Sequence, residues 1–320
     1  MRFFSGASLA GVAMLALVSV AAAGCSKFGE LKARQSFKTA NQAYARQDFK
    51  KAAEAYEETT ASDPNQVIAY FFLANSYDNQ YKIGESDPNT DPNLQKAIEN
   101  YQLAYDKITA AGKPEEAIYA RRALEYLALA YGIDKMNDPG KAEPVIQKLI
   151  QIDPGDPANY FALAKLYEDA GAYQEAEQTL VNAKAAKPAD PAVYSTLANF
   201  YNRQSDYDKL FKALEDGAAN EPDNPERHYT LATYRWDNAQ RNFRLTDEEK
   251  MENVEKGKAA IDKALSLRPD YMEALVYKGL LLRTQANLEK NPARQQALIK
   301  EATALSDQAE ELRKKKATGT

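Results

Sequence analysis

Between residues 160 and 222 the apolar positions fall into a pattern that is helical and that repeats. Tyr160, Leu163, Ala164 and Tyr167 stand at i, i+3, i+4 and i+7 and form a stripe along one side of a first helix. Ala176, Leu180 and Ala183 carry the same spacing along a second helix that begins near Tyr173. Gly171 lies between them, where a turn requires a positive backbone angle. Small side chains at Ala164 and Ala176 let the two helices approach, while the tyrosines and leucines fill the space beside them. All of this recurs 34 positions later: Tyr160 matches Tyr194, Leu163 Leu197, Ala164 Ala198, Tyr167 Tyr201, Tyr173 Tyr207, Leu180 Leu214 and Pro188 Pro222. Each hairpin opens on an N-cap followed by proline, as in Asp156-Pro157, Asp190-Pro191 and Asn224-Pro225.

The period extends in both directions. A degenerate first copy keeps Ala40, Ala52, Tyr56 and Pro64. A second has Tyr70, Leu73, Ala74 and Tyr77, then a polar insertion around Tyr81 to Asn93, then Ala97, Tyr101 and Ala104. The third carries Leu124, Leu127, Ala128 and Tyr131, a turn from Asn137 to Gly140, then Ala142, Ile146, Leu149 and Pro154. The sixth has His228, Leu231 and Ala232, a polar insertion around Asn238 to Arg244, and a capping box from Thr246 to Glu249. A partial seventh unit with Leu275, Gly279 and Leu282 precedes a last helix from Asn291-Pro292 to about Lys316.

A 34-residue period with this order of large, small and proline positions resembles the tetratricopeptide repeat family. The resemblance implies an all-α fold, an α-solenoid of helical hairpins wound as a right-handed superhelix. About six repeats and a partial seventh would occupy residues 35–290, as one elongated domain with no linker rich in glycine, serine or proline. A capping helix and basic tail would occupy residues 291–320.

Residues 1–24 have one charge, Arg2, and an apolar run through Leu9, Val12, Leu15, Leu17, Val18 and Val20, the layout of a signal peptide. The run closes in Ala22, Ala23, Gly24 and Cys25, which resembles the lipobox of bacterial lipoproteins, although leucine usually stands where Ala22 does. That resemblance implies cleavage before Cys25, lipidation of its sulfur, and a short linker over residues 25–34 ahead of the first helix. The protein would then be exported and held on a membrane by its N-terminal lipid, facing the periplasm or the cell exterior. Ser26 is compatible with an outer membrane. Two alternatives stay open: an ordinary A-x-A cleavage giving a secreted soluble chain, and an uncleaved membrane helix, for which about 20 residues suffice.

Composition removes most catalytic readings. Cys25 is the only cysteine and His228 the only histidine, so a Ser/His triad, a Cys/His dyad or a histidine-rich metal site has no inventory. His228 also occupies an aromatic packing position of its repeat. No glycine-rich phosphate motif is present, and the carboxylates follow solvated helix faces. Without residues 1–24 the chain has 40 basic and 46 acidic residues, net −6. Nothing favours nucleic acid, which calls for a basic patch. The expectation is a protein without enzymatic activity, cofactor or metal.

Function is therefore sought on a surface. The resemblance implies that the first helices of successive hairpins line a concave groove, with residues one and five places after the first large position pointing inward. The first set reads Phe37, Phe71, Glu125, Phe161, Ser195 and Tyr229. The second reads Asn41, Asn75, Leu129, Lys165, Asn199 and Thr233. Asparagine offers donors and an acceptor to an extended peptide backbone, and aromatic side chains offer pockets. Asp78, Glu168, Asn202, Arg203 and Trp236 are further candidates. Groove-side acids (Asp78, Glu125, Glu168, Asp169, Glu226, Asp237) outnumber bases (Arg122, Lys165, Arg203), which slightly favours a neutral or basic partner segment. The expected activity is that of an anchored adaptor binding a protein or extended peptide. The alternative is a structural or self-associating spacer that works through its convex face and its two insertions.

Overall fold

The structure, a computed structural model, describes residues 9–318, with side chains from 27 to 317. Among these residues every regular element is helical, in successive antiparallel hairpins, as the periodicity predicts. The side chains of residues 1–26, on which the signal-peptide and Cys25 lipidation expectations fall, and the backbone of residues 1–8 lie outside the described residues.

Contacts divide the chain into two compact units, residues 1–154 with 165–172, and residues 155–164 with 173–320. The division falls inside a helix, α7 (Pro157–Asp169), and not at a flexible linker. That helix buries only Pro157, Asn159, Leu163 and Ala164.

In the first unit, α1 (Leu9–Ala45) pairs with α2 (Phe49–Ser62), α3 (Val67–Asp78) with α4 (Pro92–Ala111), and α5 (Ala117–Tyr131) with α6 (Pro139–Ile152). The sequence of α3, VIAYFFLANSYD, is apolar nearly all round, and the helix is correspondingly sandwiched between α2, α4 and α5. The α1 helix runs unbroken through residues 25–34, where a linker was expected. That stretch has no proline and is rich in Glu, Leu, Lys, Ala and Arg, which continue a helix at little cost. The insertion after α3 is also tighter than its polarity suggests. Tyr81 is buried against Leu94 and Ala130, and the projecting part begins only at Lys82.

In the second unit, α8 (Tyr173–Ala186) packs on α9 (Pro191–Arg203), followed by α10 (Tyr207–Asn220), α11 (Pro225–Arg241), α12 (Asp247–Leu267), α13 (Met272–Leu288) and α14 (Pro292–Thr318). Ala302 and Ala309 of α14 are buried while most of its remaining surface is exposed, the arrangement of an end cap. The second insertion is shorter than expected: α11 continues to Arg241, and Asn238 is buried because its amide pairs with Asn253 of α12. Gly257 marks the closest approach in this unit; a Cβ there would lie 2.8 Å from Leu281 Cδ2 and 3.2 Å from Arg235 Cβ.

Helix starts are fixed locally. Asp48, Asp91, Asp138, Asp190, Asp206 and Asn224 each accept a backbone amide hydrogen of the first turn, and Thr246 and Glu249 form the capping box. The α6 cap makes Asp138 the end of the preceding turn, so Gly140 is already helical. The turn inside a hairpin has positive φ at Gln47 (60°), Asn137 (47°), Gly171 (76°) and Ser205 (56°). The last three are spaced by 34 residues, so the repeat is visible in the backbone as well as in the side chains.

Candidate functional site

The first unit contains a cleft of about 680 Å³ lined by Tyr44, Gln47, Phe49, Asn75, Asp78, Asn79, Tyr81, Ile83, Tyr126 and Lys135. Its base is a hydrogen-bonded chain that crosses three hairpins. The Tyr44 hydroxyl donates to Asn75 Oδ1, and Asn79 Nδ2 donates to the same oxygen at 3.0 Å. Asn75 Nδ2 donates to the Tyr101 hydroxyl at 3.2 Å, and that hydroxyl donates onward to Asp78 Oδ2 at 3.4 Å. Asp78 is in turn paired with Lys135, both largely buried. Burial raises the pKa values of Tyr44 and Tyr101 above the ordinary phenol range, so both act as neutral donors.

Phe71, expected on the groove surface, lies beneath it. Only 4% of its surface is exposed, and its ring meets Phe72, Tyr101, Tyr119 and Tyr126 at centroid separations of 5.3–6.2 Å. The cleft wall is instead built from Tyr44, which meets Phe49 edge-on at 5.6 Å, and Tyr126, stacked on Tyr101 at 5.4 Å and 6°. Ile83, from the first insertion, is 65% exposed at the rim. Tyr44, Phe49, Tyr126, Lys135 and Ile83 were not singled out as groove residues. A signal for Tyr126 exists in the sequence: Tyr119, Tyr126, Leu129 and Ile133 stand at i, i+7, i+10 and i+14, one place out of phase with Glu125. Leu129 on that stripe is 63% exposed, and Ile133, in the turn that follows α5, is 59% exposed.

The remaining candidates are dispersed. Phe37 and Phe161 are half-buried, and Lys165 is exposed and paired with Asp169. In the second unit, Asn199 lines a small cleft with Ser195, Arg227 and Tyr234; Tyr234 donates to Asn199 Oδ1 at 3.3 Å and Arg227 to Ser195 Oγ at 3.0 Å. Asn202 and Arg203 are exposed at the end of α9. Tyr229 packs on Tyr271 and Tyr277, while Thr233 turns back to the Thr230 carbonyl at 2.7 Å. Trp236 sits edge-on to Tyr277 at 5.5 Å with its indole N–H buried, inside the packing and not on a groove. His228 contacts the Pro222 carbonyl at 2.8 Å through Nε2.

A second cleft, of about 790 Å³, lies between α10, α11 and α12 and was not foreseen. Arg235 forms its floor, 7% exposed, with its guanidinium 3.5 Å from the Phe211 ring centre. Arginine three positions after Ala232 and four before Ala239, on the apolar stripe of α11, was the sequence sign of it.

The acidic surplus assigned to the groove is largely neutralised in place. Asp78 pairs with Lys135, Glu125 with Arg121, Asp169 with Lys165, Glu226 with Arg268 and Asp237 with Arg241. These ion pairs reduce the acidic surplus on which the expectation of a neutral or basic partner segment rests. Among the described residues no group of three or more His, Cys, Asp or Glu side chains is arranged to hold a metal ion.

Comparison with known proteins agrees with this architecture. Two family models described as tetratricopeptide repeat match, over residues 37–114 and 135–200. No curated protein matches. Among solved structures, the C-terminal part of a TPR repeat-containing protein from Cytophaga hutchinsonii is 14% identical, with TM-score 0.53, over 86% of this chain and 98% of that one. A tetratricopeptide repeat protein from Parabacteroides merdae is 15% identical, with TM-score 0.44, over 85% and 99%. YrrB, described as a TPR protein with an unusual peptide-binding site, is 17% identical, with TM-score 0.34, over 75% and 88%. The chain is thus an all-α protein of the helical-repeat class. Over residues 37–114 and 135–200 its repeats match the tetratricopeptide repeat models, a scaffold suited to protein–protein interaction.

Proposed function

We propose that the protein is a membrane-anchored adaptor that holds an extended segment of a partner protein in the first unit's cleft. The observation that carries this is the Tyr44–Phe49–Tyr126 wall beside exposed Ile83, over a base of buried amide and hydroxyl groups. Aromatic walls accept side chains, and a rigid polar base orients a backbone. The anchor is the acylated Cys25, by resemblance of Ala22 to Cys25 to a lipobox, and the repeats face the periplasm or cell exterior. No catalytic role is proposed.

A photo-crosslinking residue placed at Ile83, on the cleft rim, or at Leu129, one turn along α5 from the Tyr126 wall, tests the cleft and its margin without disturbing the core, since both are more than 60% exposed. Crosslinks to a partner from both positions, absent from a probe at Phe243, support it. A second reading, contact through the insertions, rests on Phe243, which is 88% exposed in the turn between α11 and α12. Crosslinks confined to Phe243 would favour that reading and remove the first. Mass spectrometry of the mature N-terminus tests the anchor; a free thiol at Cys25 or an intact leader would reject acylation.

A further inference from the structure

The exposed side of α1 carries apolar and basic residues that packing does not explain. Its inward face is clear: Ala33 and Ala40 are fully buried and Ser36 is 5% exposed. On the opposite side Phe28 is 72% and Leu31 66% exposed. At 3.6 residues per turn, Lys27, Leu31, Arg34 and Lys38 form one outward row at i, i+4, i+7 and i+11, with Phe28 and Lys32 in the row beside it. The only acid in residues 27–45 is Glu30, at the edge of that row between Lys27 and Arg34. A chain with more acidic than basic residues overall thus places four cations and one acid on this stretch. Lys32 pairs with Glu58 at 3.1 Å, while Lys27, Arg34 and Lys38 make no ion pair among the described residues.

We infer that this face of α1 lies on a bilayer surface bearing anionic headgroups, with Phe28 and Leu31 entering the headgroup boundary and the basic row resting on the phosphates. The inference rests on the anchored reading above and deepens it. Three features select a membrane as the occupant. The anchor proposed at Cys25 stands three residues before Phe28, the two exposed apolar side chains are those nearest to it, and the charge is complementary to anionic lipid. The α1 backbone is helical without interruption into the first hairpin, so the roll of α1 on the surface is transmitted to α2 and fixes how the first unit's cleft is presented.

The test is the full chain, made in a host that processes its N-terminus and reconstituted into vesicles of phosphatidylethanolamine and phosphatidylglycerol, carrying Phe28→Trp. Trp236 is the natural chain's single tryptophan and supplies the baseline. In vesicles with brominated acyl chains the added emission of F28W is expected to fall by about half, as for an interfacial side chain. Phe243→Trp, in the second unit, is expected to keep its emission. Replacing phosphatidylglycerol by phosphatidylcholine, or adding Lys27→Glu with Arg34→Glu, should relieve the quenching.

Protein that floats with the vesicles but leaves F28W unquenched overturns the inference while leaving the anchor intact. Protein that does not float overturns both. Unquenched F28W together with crosslinks between copies through position 28 would assign the face to self-association instead.

Discussion

Asn75 Nδ2 donates to the Tyr101 hydroxyl at 3.2 Å, joining α3 to α4 beneath the cleft of the first unit. An asparagine placed by its repeat position to hold a peptide is thereby committed to the protein itself, since its Oδ1 also accepts from Tyr44 and Asn79. Asn75→Ala would take the acceptor from the Tyr44 hydroxyl and the donor from the Tyr101 oxygen, and is expected to lower stability by about 1–3 kcal/mol. Phe71→Ala, in the core, should cost about 3–5 kcal/mol. Urea unfolding checks both. In a double-mutant cycle, Asn75→Ala and Tyr101→Phe should be clearly non-additive; additive losses would mean that the bond contributes nothing. Loss of binding in either single variant would therefore report unfolding before it reported a groove, which is why Ile83 and Leu129 are the better probes.

The hairpin turns predict a stabilising change. Ser205 has φ 56°, the position at which Gly171 has φ 76° one repeat earlier. A left-handed backbone costs a non-glycine residue about 1–2 kcal/mol, partly offset by the extra freedom glycine has when unfolded. Ser205→Gly is expected to raise the thermal midpoint by roughly 1–3 °C. Gly171→Ala should lower it. Scanning calorimetry on the two variants decides; a lower midpoint for Ser205→Gly would show that the serine side chain matters more than the backbone.

What could be read in advance was what is decided within a few residues. Asp190-Pro191 and Thr246 to Glu249 determine where helices start through contacts with their own first turns, and those features are legible in one dimension. Access to a surface is decided by neighbours distant in the chain. Phe71 and Phe161 occupy the same position of their repeats. Phe71 is buried because Tyr101, Tyr119 and Tyr126 close over it, whereas Phe161 is half-exposed. Tyr81 looked like the first residue of a projecting loop, yet it fills a space between Leu94 and Ala130 that no local pattern announces. Tyr126 stands one residue out of phase with the groove position of its repeat, and Arg235 is a charge that packing against Phe211 removes from water.

The ion pairs predict acid sensitivity of defined sign. Glu226 accepts from Tyr271 and, at 2.8 Å, from Arg268, linking the start of α11 to the α12–α13 turn. The Tyr271 hydrogen bond, assisted by Arg268, holds its carboxyl below the ordinary glutamate range. Burial would raise Asp216, but Lys184 and Lys212 outweigh it and hold that carboxyl low as well. A carboxyl with a depressed folded-state pKa contributes stability above its unfolded value, about 4 for these groups, and that contribution is lost as pH falls through the folded value. Thermal midpoints should therefore be level near neutrality and fall below about pH 4. Glu226→Gln should lower the neutral plateau slightly and converge with the parent at the acid end; an unchanged difference at every pH would remove the ionic contribution.

Arg235 provides the last and least intuitive expectation. Its guanidinium donates to Glu215 Oε1 at 2.7 Å and to Asn253 Oδ1 at 3.2 Å, while Nε is buried with no partner. Burial lowers its pKa below the ordinary arginine range, so the charge is held at some cost. Arg235→Met keeps the stem over Phe211 and removes the orphaned donor. Asn253 Oδ1 still accepts from Asn238 Nδ2 at 3.3 Å, and Glu215, about half exposed, is left to water. Stability should change by less than about 1 kcal/mol in either direction. Arg235→Ala also loses the stem and should cost about 2–4 kcal/mol through the space it opens. Asn253→Ala leaves Arg235 and Asn238 without their shared acceptor and should cost about 1–3 kcal/mol. Urea unfolding of the three variants ranks them. A methionine variant as unstable as the alanine one would show that the charge itself holds α10, α11 and α12 together.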